Sequence, residues 1–339
     1  MQTPLVSTRP RPPNSTLLHE VTQRVVGQTH SIAQIVPYVD MHRAGLAPDG
    51  RPAGVFLLLG PTGTGKTRTV EALAEVLHGS ARMVLRVDCG EFQLEHEVAK
   101  LIGAPPGYLG HRETTPMLNQ QKLSAVTSES SNLSLVLLDE IEKAAPSMTR
   151  LLLGVLDKAA LRLGDNTTVN FEKSLIFMTS NLGAREMARE IRPDFGFEAL
   201  VAADRPKRSG VLTKIGMGAV RRRFSPEFVN RIDAVITYQP LGEESLAAIV
   251  DQQIAELEQH IQTRLSDDAF ELDVTPAARA WLLREGTSDE YGARELKRVI
   301  LRHVTQPMAA MVVAGEILPE DLVKVDIGKD RDSLRLTVT

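Results

Sequence analysis

Eight consecutive residues, Gly60-Pro61-Thr62-Gly63-Thr64-Gly65-Lys66-Thr67, have the composition of a phosphate cradle. Glycines let the backbone turn its N–H groups inward, and a helix opening directly behind them offers further unsatisfied amides to an anion. Lys66 is placed to reach the β- and γ-phosphates of a nucleotide, and the Thr67 hydroxyl suits magnesium. A glycine-rich turn of chance composition would not also have an apolar strand before it and a helix after it. Farther along, Asp139-Glu140 closes the apolar run Leu135-Val136-Leu137-Leu138. Acids at a strand end beside a phosphate loop divide the remaining work. Asp139 suits magnesium, through water, and Glu140 suits the base that polarises an attacking water. A third run, Leu175-Ile176-Phe177-Met178, ends in Thr179-Ser180-Asn181. Asn181 is a candidate to hold that water and sense the γ-phosphate, although an asparagine ahead of Leu-Gly also reads as a turn residue. The chemistry these groups suit is magnesium-assisted hydrolysis of ATP.

Such groups need a parallel sheet behind them. Val55–Leu59, Val84–Val87, Leu135–Leu138, Leu175–Met178 and Ala234–Tyr238 read as strands. The runs at Leu57 and Leu135 lack polar alternation, as strands buried on both faces do. Helical patterns lie between them, including Val70–Leu77 behind the phosphate loop and an amphipathic stretch from Leu17 to Arg43 broken at Val26-Gly27-Gln28. The expected fold class is α/β, a phosphate-loop NTPase domain of parallel sheet with covering helices, over residues 17–240. Composition shifts after Pro240, and residues 241–339 read as a smaller α+β domain. There a long helix over 243–265 precedes a strand at Phe270–Val274 and the helix start Thr275-Pro276, an N-cap followed by proline. A helix from Ala293 stops at Gly315, and Leu322–Ile327 with Leu334–Val338 alternates as a hairpin does. The basic stretch Pro206–Arg208 reads as a solvated loop.

The rest of the composition narrows the partners. A net charge of −4 gives no global attraction to nucleic acid or anionic membrane. The single cysteine, Cys89, forms no intramolecular disulfide and reads as a half-buried core residue, and the scattered histidines make no metal pair. No run approaches the ~18 apolar residues of a membrane span. Residues 1–16 carry four prolines and no apolar run, so the expectation is a disordered tail on a cytoplasmic protein.

The order of several longer motifs resembles the Clp-type AAA+ chaperone ATPases. They are Val25-Val26-Gly27-Gln28, Arg43-Ala44-Gly45-Leu46, the phosphate loop and Gly103-Ala-Pro-Pro-Gly-Tyr108-Leu109-Gly110. They continue with Leu138-Asp-Glu-Ile-Glu-Lys143-Ala, Met178-Thr-Ser-Asn-Leu-Gly183, Ser225-Pro-Glu-Phe-Val-Asn-Arg231-Ile-Asp233 and Tyr291-Gly-Ala-Arg294-Glu-Leu-Lys297-Arg298. The likeness spans about residues 17–330 and is greatest to the C-terminal, second ATPase module of ClpB.

That resemblance implies an ATP-driven unfoldase or remodelling chaperone, a homo-oligomeric ring of six subunits that threads polypeptide. It implies an arginine finger at Arg231, acting on ATP held by the neighbouring subunit, and a sensor at Arg294 for the subunit's own nucleotide. It places Val25 and Val26 beside adenine, and Tyr108 with Leu109 on the pore loop that grips substrate. An aromatic ring on a glycine-flanked loop gives apolar contact without demanding a partner sequence. The family also carries a recruiting domain, a first ATPase module and, in disaggregases, a coiled-coil middle domain. With the second module alone in this sequence, the expectation is an adaptor or recruiting chain. Two stretches depart from the pattern: His111–Pro116 after the pore motif and the Ser-rich Thr127–Ser134.

Two alternatives stay open. Phe195-Gly196-Phe197 has the hydrophobic-Gly-hydrophobic form of a docking loop for a compartmental protease, although ClpB-like chains carry Phe-Gly there too. Arg221-Arg222-Arg223 is a compact basic cluster that a nucleic-acid motor or loader would use, or else a solvated helix end or subunit contact.

Overall fold

In the computed structural model of the chain, the described residues are 14–103, 116–191, 205–287, 292–330 and 332–339. They form two compact units. Of these residues the first draws on 14–59, 66–103, 116–183 and 206–237, and the second on 60–65, 184–191, 205, 238–287, 292–330 and 332–339.

The first unit is built on β1 (Gly54–Leu59), β2 (Leu85–Asp88), β3 (Ser134–Asp139), β4 (Ala160–Arg162), β5 (Thr168–Asn170), β6 (Ser174–Ser180) and β7 (Ala234–Thr237). Five of them make one parallel sheet in the order β2-β3-β6-β1-β7, the expected α/β fold. β1 and β6 are buried at every position, which is why neither alternates in sequence. On one face Val55, Leu57 and Leu59 pack with Val136, Leu138, Ile176 and Met178, and with Met148, Leu152 and Val155 of the helix Pro146–Lys158. Phe56 lies stacked on Phe177 at 5.1 Å and meets Tyr38 edge-on at 5.0 Å. Burying such a ring contributes roughly 1.5–3 kcal/mol.

Parallel pairing sends the strand ends out at one edge. Leu59 lies beside Ser180, and Leu138 beside Met178, so the residues after β1, β3 and β6 leave the sheet together. The helix behind the phosphate loop runs Lys66–His78 and starts earlier than its apolar pattern. Its first turn, Lys66-Thr67-Arg68-Thr69, has no apolar residue to reveal it. The N-terminal stretch breaks twice, into Asn14–Arg24, Thr29–Ala33 and Val36–Arg43: first at Gly27, which has φ +79°, and then ahead of Pro37, which suits a first helical turn. The antiparallel pair β4–β5 was not legible, since each strand has three residues.

Two readings are corrected. Pro206–Arg208 is not a loop but part of the helix Arg205–Arg223, whose first turn tolerates the proline. Cys89 is fully rather than half buried, at 0% exposure.

In the second unit β8 (Glu271–Val274), β9 (Leu322–Ile327) and β10 (Leu334–Val338) form a sheet ordered β10-β9-β8. β9 and β10 make the expected antiparallel hairpin, and β8 joins β9 in parallel. Val250 and Ile254 of the helix Glu243–Leu265, Trp281 and Leu282 of Pro276–Gly286, and Leu296 and Val299 of Ala293–Ile300 share a core with Val325. The last helix passes through a π turn, Leu301–Thr305, before Gln306–Ala314. Pro307 has no amide to give the His303 carbonyl, so the ladder must slip there. It ends at Gly315 in the left-handed conformation.

The Thr275 hydroxyl accepts the Ala278 amide at 3.2 Å and donates to Asp326 at 2.8 Å, capping Pro276–Gly286 and tying it to β9. Thr275→Ala is expected to destabilise this unit by about 1 kcal/mol, read as a lower denaturant midpoint with unchanged slope. Among the described residues no helix is long and apolar enough to cross a membrane, and no cluster of His, Cys, Asp and Glu could hold a metal by itself.

Candidate active site

The loop after β1 is shaped by backbone that other residues resist. Gly60 has φ +145°, and a Cβ there would lie 2.7 Å from the Tyr238 carbonyl oxygen. Gly63 and Gly65 are also at positive φ, and the Thr64 hydroxyl donates to the Pro61 carbonyl at 2.9 Å. Within the second unit the Gly63 carbonyl accepts the Ala293 amide at 3.3 Å. A Cβ on Gly292 would sit 3.1 Å from that same carbonyl, so Gly-Ala-Arg needs its glycine for close approach. Arg294 follows Ala293 at the start of the helix Ala293–Ile300 and is exposed.

In the first unit Lys66 is 8% exposed, and its ammonium donates to Asn181 Oδ1 at 3.0 Å. Asn181 Nδ2 points in turn at Glu140 Oε1, 3.4 Å away. One asparagine therefore joins the phosphate-loop lysine to the candidate base. The Thr179 hydroxyl donates to Asp139 in a short hydrogen bond and accepts the Glu140 amide at 3.0 Å. That bond pins a strained residue: Glu140 is left-handed, with φ 54° and ψ 48°, a conformation costing roughly 1–2 kcal/mol outside glycine. The sharp turn it makes separates two successive carboxylates at the end of one strand. Thr67, at the start of the helix, is half-buried.

Three charged groups brace this arrangement. Lys143 donates to Glu140 Oε2 at 2.6 Å, and the carboxylate raises the lysine's pKa above its ordinary value. Glu142 Oε1 accepts the Asn181 amide at 3.0 Å, while its Oε2 is buried without a hydrogen-bond partner. Arg223 donates to the carbonyls of Glu142 and Ala144. Burial, and then the surrounding acids Asp88, Asp139, Glu142 and Glu140, push the Cys89 thiol far up, so it is no nucleophile.

Arg231 stands with other partners. It donates to the Glu227 carbonyl at 2.9 Å and pairs with the carboxylates of Glu227 at 3.2 Å and Asp157 at 3.5 Å. Val25 is 3% exposed in the core and Val26 is half-buried. Tyr108 and Leu109, and the Phe195-Gly196-Phe197 triplet, lie outside the described residues. Sequence reasoning missed Thr179, Glu142, Lys143 and Arg223 as working parts. Thr179 carried a signal, a hydroxyl directly after the apolar run Leu175–Met178; Arg223 carried none, since a cluster of three arginines does not say which one binds backbone carbonyls.

Residues 51–235 match the family model described as AAA domain (Cdc48 subfamily). The chain belongs to the AAA family. That membership accounts for the parallel sheet with covering helices and implies nucleotide binding. Beyond the AAA domain, residues 241–325 match the C-terminal, D2-small domain of ClpB protein. The chaperone protein ClpB of Brucella suis biovar 1 is 40% identical over 316 residues, covering 93% of this chain and 33% of that protein. ClpB of Streptomyces albus G is 40% identical over 311 residues, 92% of this chain and 33% of the relative. The chain thus spans about a third of the length of the curated relatives it matches. Among solved AAA structures, Hsp104 with ATPγS and FITC-casein, in a closed-state cryo-EM reconstruction, superposes with a TM-score of 0.78 at 30% identity. It covers 96% of this chain and 52% of that one. A Saccharomyces cerevisiae Hsp104–casein complex in an extended conformation gives 0.79 at 29% identity, with 95% and 52% covered.

Proposed function

We propose that this chain hydrolyses ATP as one subunit of a homo-oligomeric ring, a hexamer, that remodels polypeptides. The observation that carries the hydrolytic part is the run of hydrogen bonds from Lys66 through Asn181 to Glu140. It brings a cation for the terminal phosphate, a neutral amide and a carboxylate base within one chain of contacts, where a water held by the amide could be polarised by the carboxylate. The donor set fits a magnesium nucleotide. The Gly60–Gly65 loop carries the positive-φ glycines that a phosphate cradle needs, and Asn181 links the buried Lys66 to the Glu140 carboxylate. Thr67, and Asp139 through water, would hold magnesium, which offsets phosphate charge.

Each residue then has a task. Glu140 takes the proton of the attacking water, and Asn181 orients that water while reporting on the phosphate through Lys66. Thr179 keeps Asp139 and the Glu140 backbone fixed, so the carboxylates need no reorganisation during reaction. Val25 and Val26 flank the adenine. Arg294 reads the subunit's own nucleotide, and Arg231 completes the neighbour's site. Tyr108 and Leu109 hold substrate at the pore, on a chain divided at residues 240 and 241 and working in the cytoplasm, with substrates delivered by an adaptor. The complexes with casein of the related Hsp104 support a polypeptide substrate. The nucleic-acid alternative loses support because Arg223, one of the three arginines in its basic cluster, is committed to backbone carbonyls.

Steady-state ATP turnover against protein concentration, with and without casein, tests this reading. Specific activity is expected to rise with concentration as subunits assemble, and to rise further with casein. Tyr108→Ala should keep basal turnover and lose the casein response. Turnover that ignores every unfolded polypeptide would leave an ATPase and remove the remodelling role.

A further inference from the structure

The helix Arg205–Arg223 ends in three exposed arginines, and the last of them is tied to backbone carbonyls. Arg223 Nε donates to the Glu142 carbonyl at 2.9 Å, and a second guanidinium nitrogen donates to the Ala144 carbonyl, also at 2.9 Å. These carbonyls belong to the loop that follows Asp139-Glu140. The short turn Ile141–Lys143 uses its earlier carbonyls internally: Glu140 accepts from Lys143 at 2.9 Å and Ile141 from Ala144 at 3.2 Å. The carbonyls of Glu142 and Ala144 are left over at its end, as helix termini always leave some. A planar fork takes both from two separate nitrogens held in fixed alignment, which the single ammonium of a lysine does not offer.

The held loop is the one that sets the hydrolytic groups. Glu142, gripped by its carbonyl, uses its carboxylate to accept the Asn181 amide. Asn181 is the residue that links Lys66 to Glu140. The anchor is itself firm. Phe224, the next residue, is 5% exposed and stacks on Phe228 at 5.1 Å, and the Arg223 guanidinium lies 5.8 Å from the Phe224 ring.

We infer that Arg223 is a positioning residue for the hydrolytic site: it fixes the Glu140–Ala144 loop and, through Glu142, the orientation of Asn181 between Lys66 and Glu140. The inference rests on the hydrolytic reading of that site. Arg223 acts through two carbonyls and one carboxylate. It also lies on the segment that runs on to Arg231, so the subunit's own base and the arginine it offers a neighbour share one support.

Arg223→Ala in the full chain is expected to lower kcat about tenfold, the equivalent of ~1.4 kcal/mol in barrier. KM for ATP, affinity for a fluorescent ATP analogue and melting temperature should stay near wild type. Arg223→Lys, which can satisfy one carbonyl, should fall between the two. Combining Arg223→Ala with Glu142→Ala should cost no more than the larger single change, since both act on one path. Arg221→Ala, an exposed neighbour on the same helix, should have no effect.

Amide hydrogen exchange gives a readout that needs no turnover. In Arg223→Ala the amides of Ala144 and Asn181 should exchange faster, with the helix Lys66–His78 unchanged. The inference is overturned if kcat and those two amides match wild type. A joint loss of kcat, nucleotide affinity and melting temperature would also overturn it, by showing general destabilisation. A wild type that turns over no ATP would sink the hydrolytic reading instead, and exchange would still show whether Arg223 holds the loop.

Discussion

Glu140→Gln is expected to lower ATP turnover by about 10²–10⁴-fold, the usual contribution of a positioned general base. The substitution keeps the shape of the side chain and removes its ability to take a proton. An amide oxygen at the same place can still accept from Asn181, whose Nδ2 now stands 3.4 Å from the carboxylate. The ion pair with Lys143 is lost, but its side chains are 49% and 35% exposed, and such pairs contribute only about 0–1 kcal/mol. Phosphate release should therefore collapse while nucleotide binding and the melting temperature hold. Single-turnover phosphate release beside equilibrium binding of a fluorescent ATP analogue separates the two. Turnover within tenfold of wild type would move the role of base to another residue. A matching loss of binding would show that Glu140 maintains the cradle rather than drives the chemistry.

The parts of this site that sequence reveals are those whose residue types have no bland substitute. A phosphate loop needs glycine at positive φ and a lysine at a fixed step, so Gly60–Thr67 is readable without coordinates. The central strands are readable because burial on both faces forbids polar alternation, as in β1 and β6. The supports are another matter. Thr179 shares one hydroxyl between Asp139 and the Glu140 amide only because β3 and β6 lie in a particular register, and register is a property of the sheet. Arg223 and Glu142 are 81 positions apart, so the bond joining them has no local signature. The misread Pro206–Arg208 had the opposite cause: proline beside basic residues looks like a loop until the helix it opens is seen. Apolar period and glycine placement fix the elements, whereas long-range hydrogen bonds set the chemistry.

Arg231→Ala is expected to cost turnover on the scale known for arginine fingers, about 10³–10⁵-fold, without disturbing the subunit's own Lys66, Asn181 and Glu140. In the structure its partners are Glu227 and Asp157, and not the groups around Lys66, which suits a residue that serves a different site. Losing those partly exposed pairs should cost little stability, because Glu227 is 60% and Asp157 43% exposed. Mixing decides whether the arginine works within its own subunit or across to the next. An Arg231→Ala subunit keeps its base and lacks its finger; a Glu140→Gln subunit keeps its finger and lacks its base. If the finger acts in trans, a head-to-tail ring mixed at random from equal amounts has roughly a quarter of its sites complete, and activity returns from two inactive proteins. Were the arginine to serve its own subunit, no mixture would contain a complete site. Activity that stays absent at every mixing ratio, in rings shown to contain both variants, would remove the requirement for a neighbour.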